Sequence, residues 1–492
     1  MNNLLQQIRK LTTEINQQWN QTDSLVSKTI TQMSLLNIDL VEDFFTLLEN
    51  NKSIAACIVA RPVYERSVFL QYILHDRREI SSRALLFYHS SRLRQYLWLS
   101  YILRDENAFK NFHAEYNFFK KQNQKLMQKN NQTLAQWVND QIEKEKDAFN
   151  RIENLVHYCD ISVFDKDVRR KTWYRLDPET FGGNLKLSTL SDVSKYVLND
   201  SQNYYYNLFY GIDSLFTHGY LVPEIFLKKT DEFKIALLTL LIENLKALSQ
   251  YLDLTQNQQK QLAMLSAKIS RLRFNPAPIN VQFLEQSLNT TNIAQNLKKQ
   301  IEENFASYHF LANKKRNYAF YILLRTLNEQ VLSWKWMHLN HPEIRIKLFA
   351  LTSQIQAIND LYRFISDGST LQTRLSELRQ NKKDTYDELA IPLMREHTIH
   401  KDKQKRRWFV LESEDKTVHS LHQLEQCLLP DGEFIYLYAN GFLSVHVHGI
   451  NLELPFKLHQ QDVFLLSGTS DASTCHHVAC HLWKLFTSEE QR

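Results

Sequence analysis

Arginine, glutamate, serine and histidine recur in this chain at repeated spacings, and these side chains bind anions and move protons near neutral pH. Ser214 and His218 stand four residues apart in Tyr206-Asn-Leu-Phe-Tyr-Gly211-Ile-Asp-Ser214-Leu-Phe-Thr-His218-Gly219. The pattern returns without a gap as Tyr436-Leu-Tyr-Ala-Asn-Gly441-Phe-Leu-Ser444-Val-His-Val-His448-Gly449. Arg61 and Glu65 in Ala60-Arg61-Pro62-Val-Tyr-Glu65 are echoed by Arg325 and Glu329 in Leu324-Arg325-Thr-Leu-Asn-Glu329. Each pair, four apart, shares one helix face. In the functional reading Arg61 and Arg325 bind an anion, Glu65 and Glu329 orient a partner or act as bases, and His218 and His448 serve as general acid or base. Ser214 and Ser444 are the weakest members, because no third residue is evident to activate them as nucleophiles. In the structural reading the same residues are ion pairs and satisfied interior histidines that hold neighbouring helices together.

Two further blocks repeat in the same order. Arg83, Phe87 and Ser91 match Arg345, Phe349 and Ser353, and Arg169-Arg170-Lys171-Thr-Trp173-Tyr resembles Lys405-Arg406-Arg407-Trp408-Phe. Four blocks in order, with the spacing shrinking towards the C-terminus, are the behaviour of a duplicated domain that lost loop residues in its second copy. Trp173 behind Arg170, and Trp408 behind Arg407, suit a substrate-binding role in which the indole stacks on a base and the arginines meet phosphates. The competing role is a tryptophan that anchors a loop to the bundle.

The elements that must position these groups are helices. Apolar residues at three- and four-residue spacing predict helices over 35–48, 54–74, 83–103, 134–158, 191–198 and 204–217, with Pro62 a local start or kink. The pattern restarts near Phe233, breaks at Asn275-Pro-Ala-Pro-Ile-Asn280, and resumes over 291–309, 315–338, 344–366, 384–396, 417–429, 432–447 and 471–487. With only 9 Gly and 9 Pro in 492 residues, a turn-rich β fold is disfavoured. The expected architecture is all-α: two related helical bundles, residues 1–228 and a more divergent 229–492.

The remaining totals narrow the partners. A net charge of +5 permits an acidic partner without demanding one, and 5 cysteines in a chain of this length suit a reducing cytoplasm better than a disulfide framework. The opening Met1-Asn-Asn-Leu-Leu-Gln-Gln-Ile-Arg lacks the basic patch and apolar core of a secretory signal, and no apolar run spans a bilayer. Cys475-His476-His477-Val-Ala-Cys480-His481 puts His477 with His481 and His476 with Cys480 on helix faces, a spacing zinc can use. The first copy has nothing like it, so no metal and no cofactor is assigned to the shared design.

Arg151 with His157, and Arg395 with His400, fit the Arg-x4–6-His spacing and are similar to the helical ribonucleases called HEPN domains, in which paired domains build one site. The order Arg-x3-Glu on an apolar helix, a Trp-aromatic loop and a Ser-x3-His-Gly helix resembles the bacterial helical family catalogued as domain of unknown function 5677. The resemblance runs through Arg61, Glu65, Trp173, Tyr174, Ser214 and His218, and more faintly through Arg325, Glu329, Trp408, Ser444 and His448. The second copy has Phe409 for Tyr174 and Leu443 for Asp213. The expectation is a cytoplasmic protein with one polar site per copy that binds or cleaves a phosphate-bearing ligand such as RNA. As an enzyme it would be a metal-independent ribonuclease, with a conflict or phage-defence role by analogy. The alternative is a non-catalytic helical interaction module.

Overall fold

The computed structural model describes residues 1–22, 24–104, 113–155, 173, 190–220, 230–272, 289–314, 317–339, 341–362, 370–390, 421–428, 443, 456–458, 461–463 and 469–490. These residues are overwhelmingly helical, as the scarcity of glycine and proline requires. The first half holds α1 (Asn2–Trp19), α2 (Leu25–Glu49), α3 (Ser53–Leu74), α4 (Ile80–Ile102), α5 (His113–Asn130), α6 (Leu134–Leu155), α7 (Leu190–Val197) and α8 (Asp200–Thr217). Then come α9 (Thr230–Ser249), α10 (Gln256–Ser270), α11 (Thr290–Asn313), α12 (Asn317–Met337), α13 (Pro342–Tyr362), α14 (Thr370–Ala390), α15 (Leu421–Leu428) and α16 (Thr469–Glu490). The described strand residues are a short antiparallel pair, Phe456–Leu458 against Gln461–Val463.

Two helices carry the architecture. Every residue from Ile54 to Leu70 of α3 is buried, and so is every residue from Tyr318 to Trp334 of α12. A helix apolar on all sides needs neighbours on all sides. Around α3 pack α2, α4, α7, α8, α9 and α11; around α12 pack α11, α13, α15 and α16; and α3 packs on α12. That enclosure lets α3 run through Pro62 without ending, although proline removes one backbone donor.

Two of the repeated blocks, those of Arg61 with Arg325 and of Arg83 with Arg345, fall on described helices that follow one another in the same order. α2, α3 and α4 are followed in the same order and at similar lengths by α11, α12 and α13. The Arg83 guanidinium lies over the Tyr72 ring at 4.3 Å, and Arg345 lies over Trp336 at 4.9 Å. Phe87 and Phe349 are both fully buried. However, α9 and α10, which a boundary at residue 228 assigns to the second bundle, pack on helices of the first: α9 on α1, α2 and α3, and α10 on α1.

Three helices went unread in the sequence. α1 and α5 are rich in polar residues, and α10 is dominated by glutamine. A local signal for α10 existed: Thr255 and Gln258 form a reciprocal capping box at its start.

The end of α8 is fixed by glycine. Gly219 has φ +67°, and Gly219 N–H donates to the Phe216 carbonyl while Tyr220 N–H donates to that of Leu215, at 3.1 and 3.0 Å. This is the Schellman arrangement, in which the residue after the helix takes a left-handed conformation. A Cβ on Gly219 would also stand 2.8 Å from Cγ of Gln330 on α12. Gly219→Ala therefore lowers stability by about 1–2 kcal/mol from backbone conformation alone, with the contact added to it. Denaturant unfolding checks this, and pairing the change with Gln330→Ala recovers only the contact part.

Candidate functional site

The two Arg–Glu pairs lie together. On α3, Arg61 Nε meets Glu65 Oε1 at 3.4 Å; on α12, Arg325 meets Glu329 Oε1 at 2.6 Å. Arg61 and Glu65 are each 2% exposed, and Arg325 and Glu329 are likewise buried. Of the polar residues expected to form one site per copy, Arg61, Glu65, His218, Arg325 and Glu329 share one network, because His218 bonds to a member of each Arg–Glu pair. Its Nε2 lies 3.1 Å from a terminal nitrogen of Arg61, and its Nδ1 lies 3.3 Å from Oε2 of Glu329.

Those two partners fix the protonation state of the ring. An arginine nitrogen only donates, so Nε2 must accept; a carboxylate only accepts, so Nδ1 must carry the hydrogen. The neutral Nδ1–H tautomer alone satisfies both. Burial, together with Arg61 and Arg325, pushes the imidazole pKa down to about 4 against the pull of Glu329. Since 33% of the side chain still meets solvent, the guanidinium on Nε2 is the firmer cause than desolvation. Burial tends to raise the Glu329 carboxyl, yet Arg325 and His218 hold it below its ordinary value. Burial also tends to lower Arg61, but Tyr210 and Glu65 hold it firmly protonated.

Backbone groups hold the frame. The Thr217 carbonyl, at the C-terminal end of α8, accepts from Arg325 at 3.2 Å and from the Thr326 hydroxyl at 3.0 Å. Helix ends leave carbonyls unsatisfied, and a cation there is favourable. Thus α12 caps α8 one residue before the imidazole. Tyr210 completes the cluster: its hydroxyl accepts from Arg61 at 3.3 Å, and the Arg61 guanidinium lies 5.2 Å from its ring centre. Burial and Glu65 push the Tyr210 phenol pKa up to about 12, against Arg61. The sequence reading missed Tyr210, although 210, 214 and 218 follow the four-residue helical spacing and share a face.

Other expected residues fare differently. The backbone of Ser214 is within α8, but its side chain is outside the described residues. Arg170, Arg407, Trp408, Ser444 and His448 are also outside them, as are His157, Arg395 and His400. Trp173 needs correction as a stacking residue. It is 1% exposed, with ring centres 5.2, 5.5 and 4.9 Å from Phe69, Tyr72 and Phe87. Three rings stand nearly perpendicular to it, and at that burial no face is open to a base. The basic residues before it had suggested nucleic acid, but the anchor role fits its surroundings. Near the C-terminus Cys480 Sγ lies 3.6 Å from Nε2 of His476. Among the described residues no group of three metal-ligating side chains could hold an ion, and no helix is long and apolar enough to cross a membrane.

Two outcomes follow. His218 has a folded-state pKa below its ordinary 6.5, so the folded protein binds fewer protons than the unfolded chain in that interval. Its contribution to stability is complete above pH 6.5 and is lost as pH falls towards 4. Unfolding free energy measured across that window declines in the wild type and declines less in His218→Gln. Trp173→Ala costs about 3–5 kcal/mol, read by denaturant unfolding.

No curated protein matches this chain, and no solved structure does. Residues 30–235, which carry α3 and α8, match the model of the Family of unknown function (DUF5677).

Proposed function

We propose that His218 is the acid–base centre of a site that binds or cleaves a phosphate-bearing ligand such as RNA. The observation that carries this reading is the placement of its ring. Glu329 orients Nδ1, a guanidinium stands at Nε2, and a third of the side chain is open to solvent. A carboxylate on one ring nitrogen sets the tautomer, so that the other nitrogen, once Arg61 turns from it to the ligand, takes a proton from, or returns one to, a reacting group. Arg61 is the cation available to a phosphoryl oxygen, and Arg325 supports it from the opposite helix. We also propose that the chain is a tandem of two related bundles. Matching helix orders, Arg–Glu pairs and arginine–ring contacts support it. A conflict or phage-defence role suits a nuclease of this kind, by analogy alone.

A second reading has its own support. Two arginines balance two glutamates in a nearly closed space, so the cluster is neutral without any ligand. In that reading it locks α3, α8 and α12 in register, as a buried polar network can. The protein is then a helical interaction module.

The experiment compares wild type, His218→Ala and Glu329→Gln on labelled single-stranded, double-stranded and structured RNAs, with thermal melting of each protein. The acid–base reading expects His218→Ala to lose about 100-fold or more of the cleavage, with melting nearly unchanged. If wild type neither binds nor cleaves any of these RNAs while His218→Ala melts markedly lower, the lock reading stands and the nuclease reading is rejected.

A further inference from the structure

Asp213, one turn before Thr217 on α8, is fully buried, and among the described residues neither of its carboxyl oxygens has a hydrogen-bond partner. The Tyr64 hydroxyl on α3 is buried and unpartnered in the same sense. A buried carboxyl with both oxygens unsatisfied is a rare and costly feature that calls for a reason. Packing is not that reason. In the repeated Ser-x3-His-Gly block the residue before Ser444 is Leu443, which is fully buried. In the sequence pattern an apolar side chain therefore stands where the first block has a carboxyl.

Among the described residues, the groups whose charges couple to Asp213 are Arg61, Tyr64 and Cys57 of α3, and Arg61 bonds the stretch of chain on either side of Asp213, at Tyr210 and at His218. Arg61 is the only cation among them, and it is bonded elsewhere, to Glu65, Tyr210 and His218. Its contact with His218 occupies Nε2, the atom the acid–base reading needs free. Asp213 is thus a second buried carboxyl, on the helix that Arg61 bonds, while Arg61 itself blocks the base.

We propose that Asp213 is a positioning residue for the His218 site: it is a neutral acid while Arg61 rests on His218, and becomes a counter-ion of Arg61 when a phosphate oxygen held by Arg61 takes the place of the guanidinium at Nε2. This rests on the acid–base reading above. The proton is conserved. Asp213 loses the hydrogen of its carboxyl O–H as Arg61 arrives, and His218 gains one on Nε2. Neutral acid and neutral imidazole become carboxylate and imidazolium. The imidazolium keeps Nδ1–H on Glu329 and presents Nε2–H to a phosphate oxygen. Ligand binding then draws no net proton from solvent. Burial already pushes the Asp213 carboxyl well above the usual range, with Arg61 opposing, which agrees with a resting neutral acid.

The test uses the full chain and inorganic phosphate. Infrared difference spectra of wild type against Asp213→Asn at pH 7 should show the carbonyl stretch of a protonated carboxyl that the variant lacks. Calorimetric titration with phosphate in buffers of different ionisation enthalpy should give one more proton taken up by Asp213→Asn, which has none to give, than by wild type, the protons moved by phosphate itself being common to both. Asp213→Leu, the residue found at 443, should melt no lower than wild type at pH 7, because a raised carboxyl pKa favours folding only at low pH and that favour is lost as pH rises. Absence of the carboxyl band, or equal proton uptake by wild type and Asp213→Asn, overturns the proposal and leaves the acid–base reading intact. No phosphate binding by wild type, with labelled RNA also unbound, rejects both.

Discussion

One imidazole between a guanidinium and a carboxylate ties three helices together. Arg61 comes from α3, His218 from the end of α8 and Glu329 from α12. Each contact specifies the next. The carboxylate demands a hydrogen on Nδ1, the guanidinium demands a lone pair on Nε2, and the ring can offer both only when neutral. The helices must therefore approach at one register. Gly219 permits the approach by turning the chain sharply against Gln330, and Arg325 with Thr326 draws the terminal carbonyl of α8 onto α12. A shift of one helical turn in any of the three would strand charges in a space that excludes most water, a far larger penalty than any single contact repays.

Much of this was legible in the residues. The apolar residues on both sides of Arg61 and Glu65 mark α3 as a helix inside a bundle, and a charged pair inside such a helix announces a polar interior. The repeat identified Arg325, Glu329 and His218 before any geometry. The convergence was not legible. Periodicity tells which residues share a face of one helix, but not which faces meet. The sequence reading therefore paired each histidine with the arginine and glutamate of its own half. In the fold His218 takes its arginine from its own half and its carboxylate from the other.

Trp173 shows where two local roles stayed open until the surroundings were known. Local composition there was informative and misleading: basic neighbours beside an aromatic residue fit nucleic-acid binding, yet Phe69, Tyr72 and Phe87 from two other helices enclose the ring. Tertiary surroundings outweighed the local signal. α10 was overlooked for a related reason. Its glutamine-rich stretch has little apolar periodicity, and the capping box that starts it is a signature of only two residues.

The pairing of His218 with Glu329 also sets an order in time. The two residues are 111 positions apart, so a ribosome delivers the imidazole well before the carboxylate that orients it. Until α12 emerges, α3 lacks one of its covering walls, and His218 lacks the partner that fixes its hydrogen. Until then the centre is unfinished, with an imidazole whose tautomer nothing yet selects.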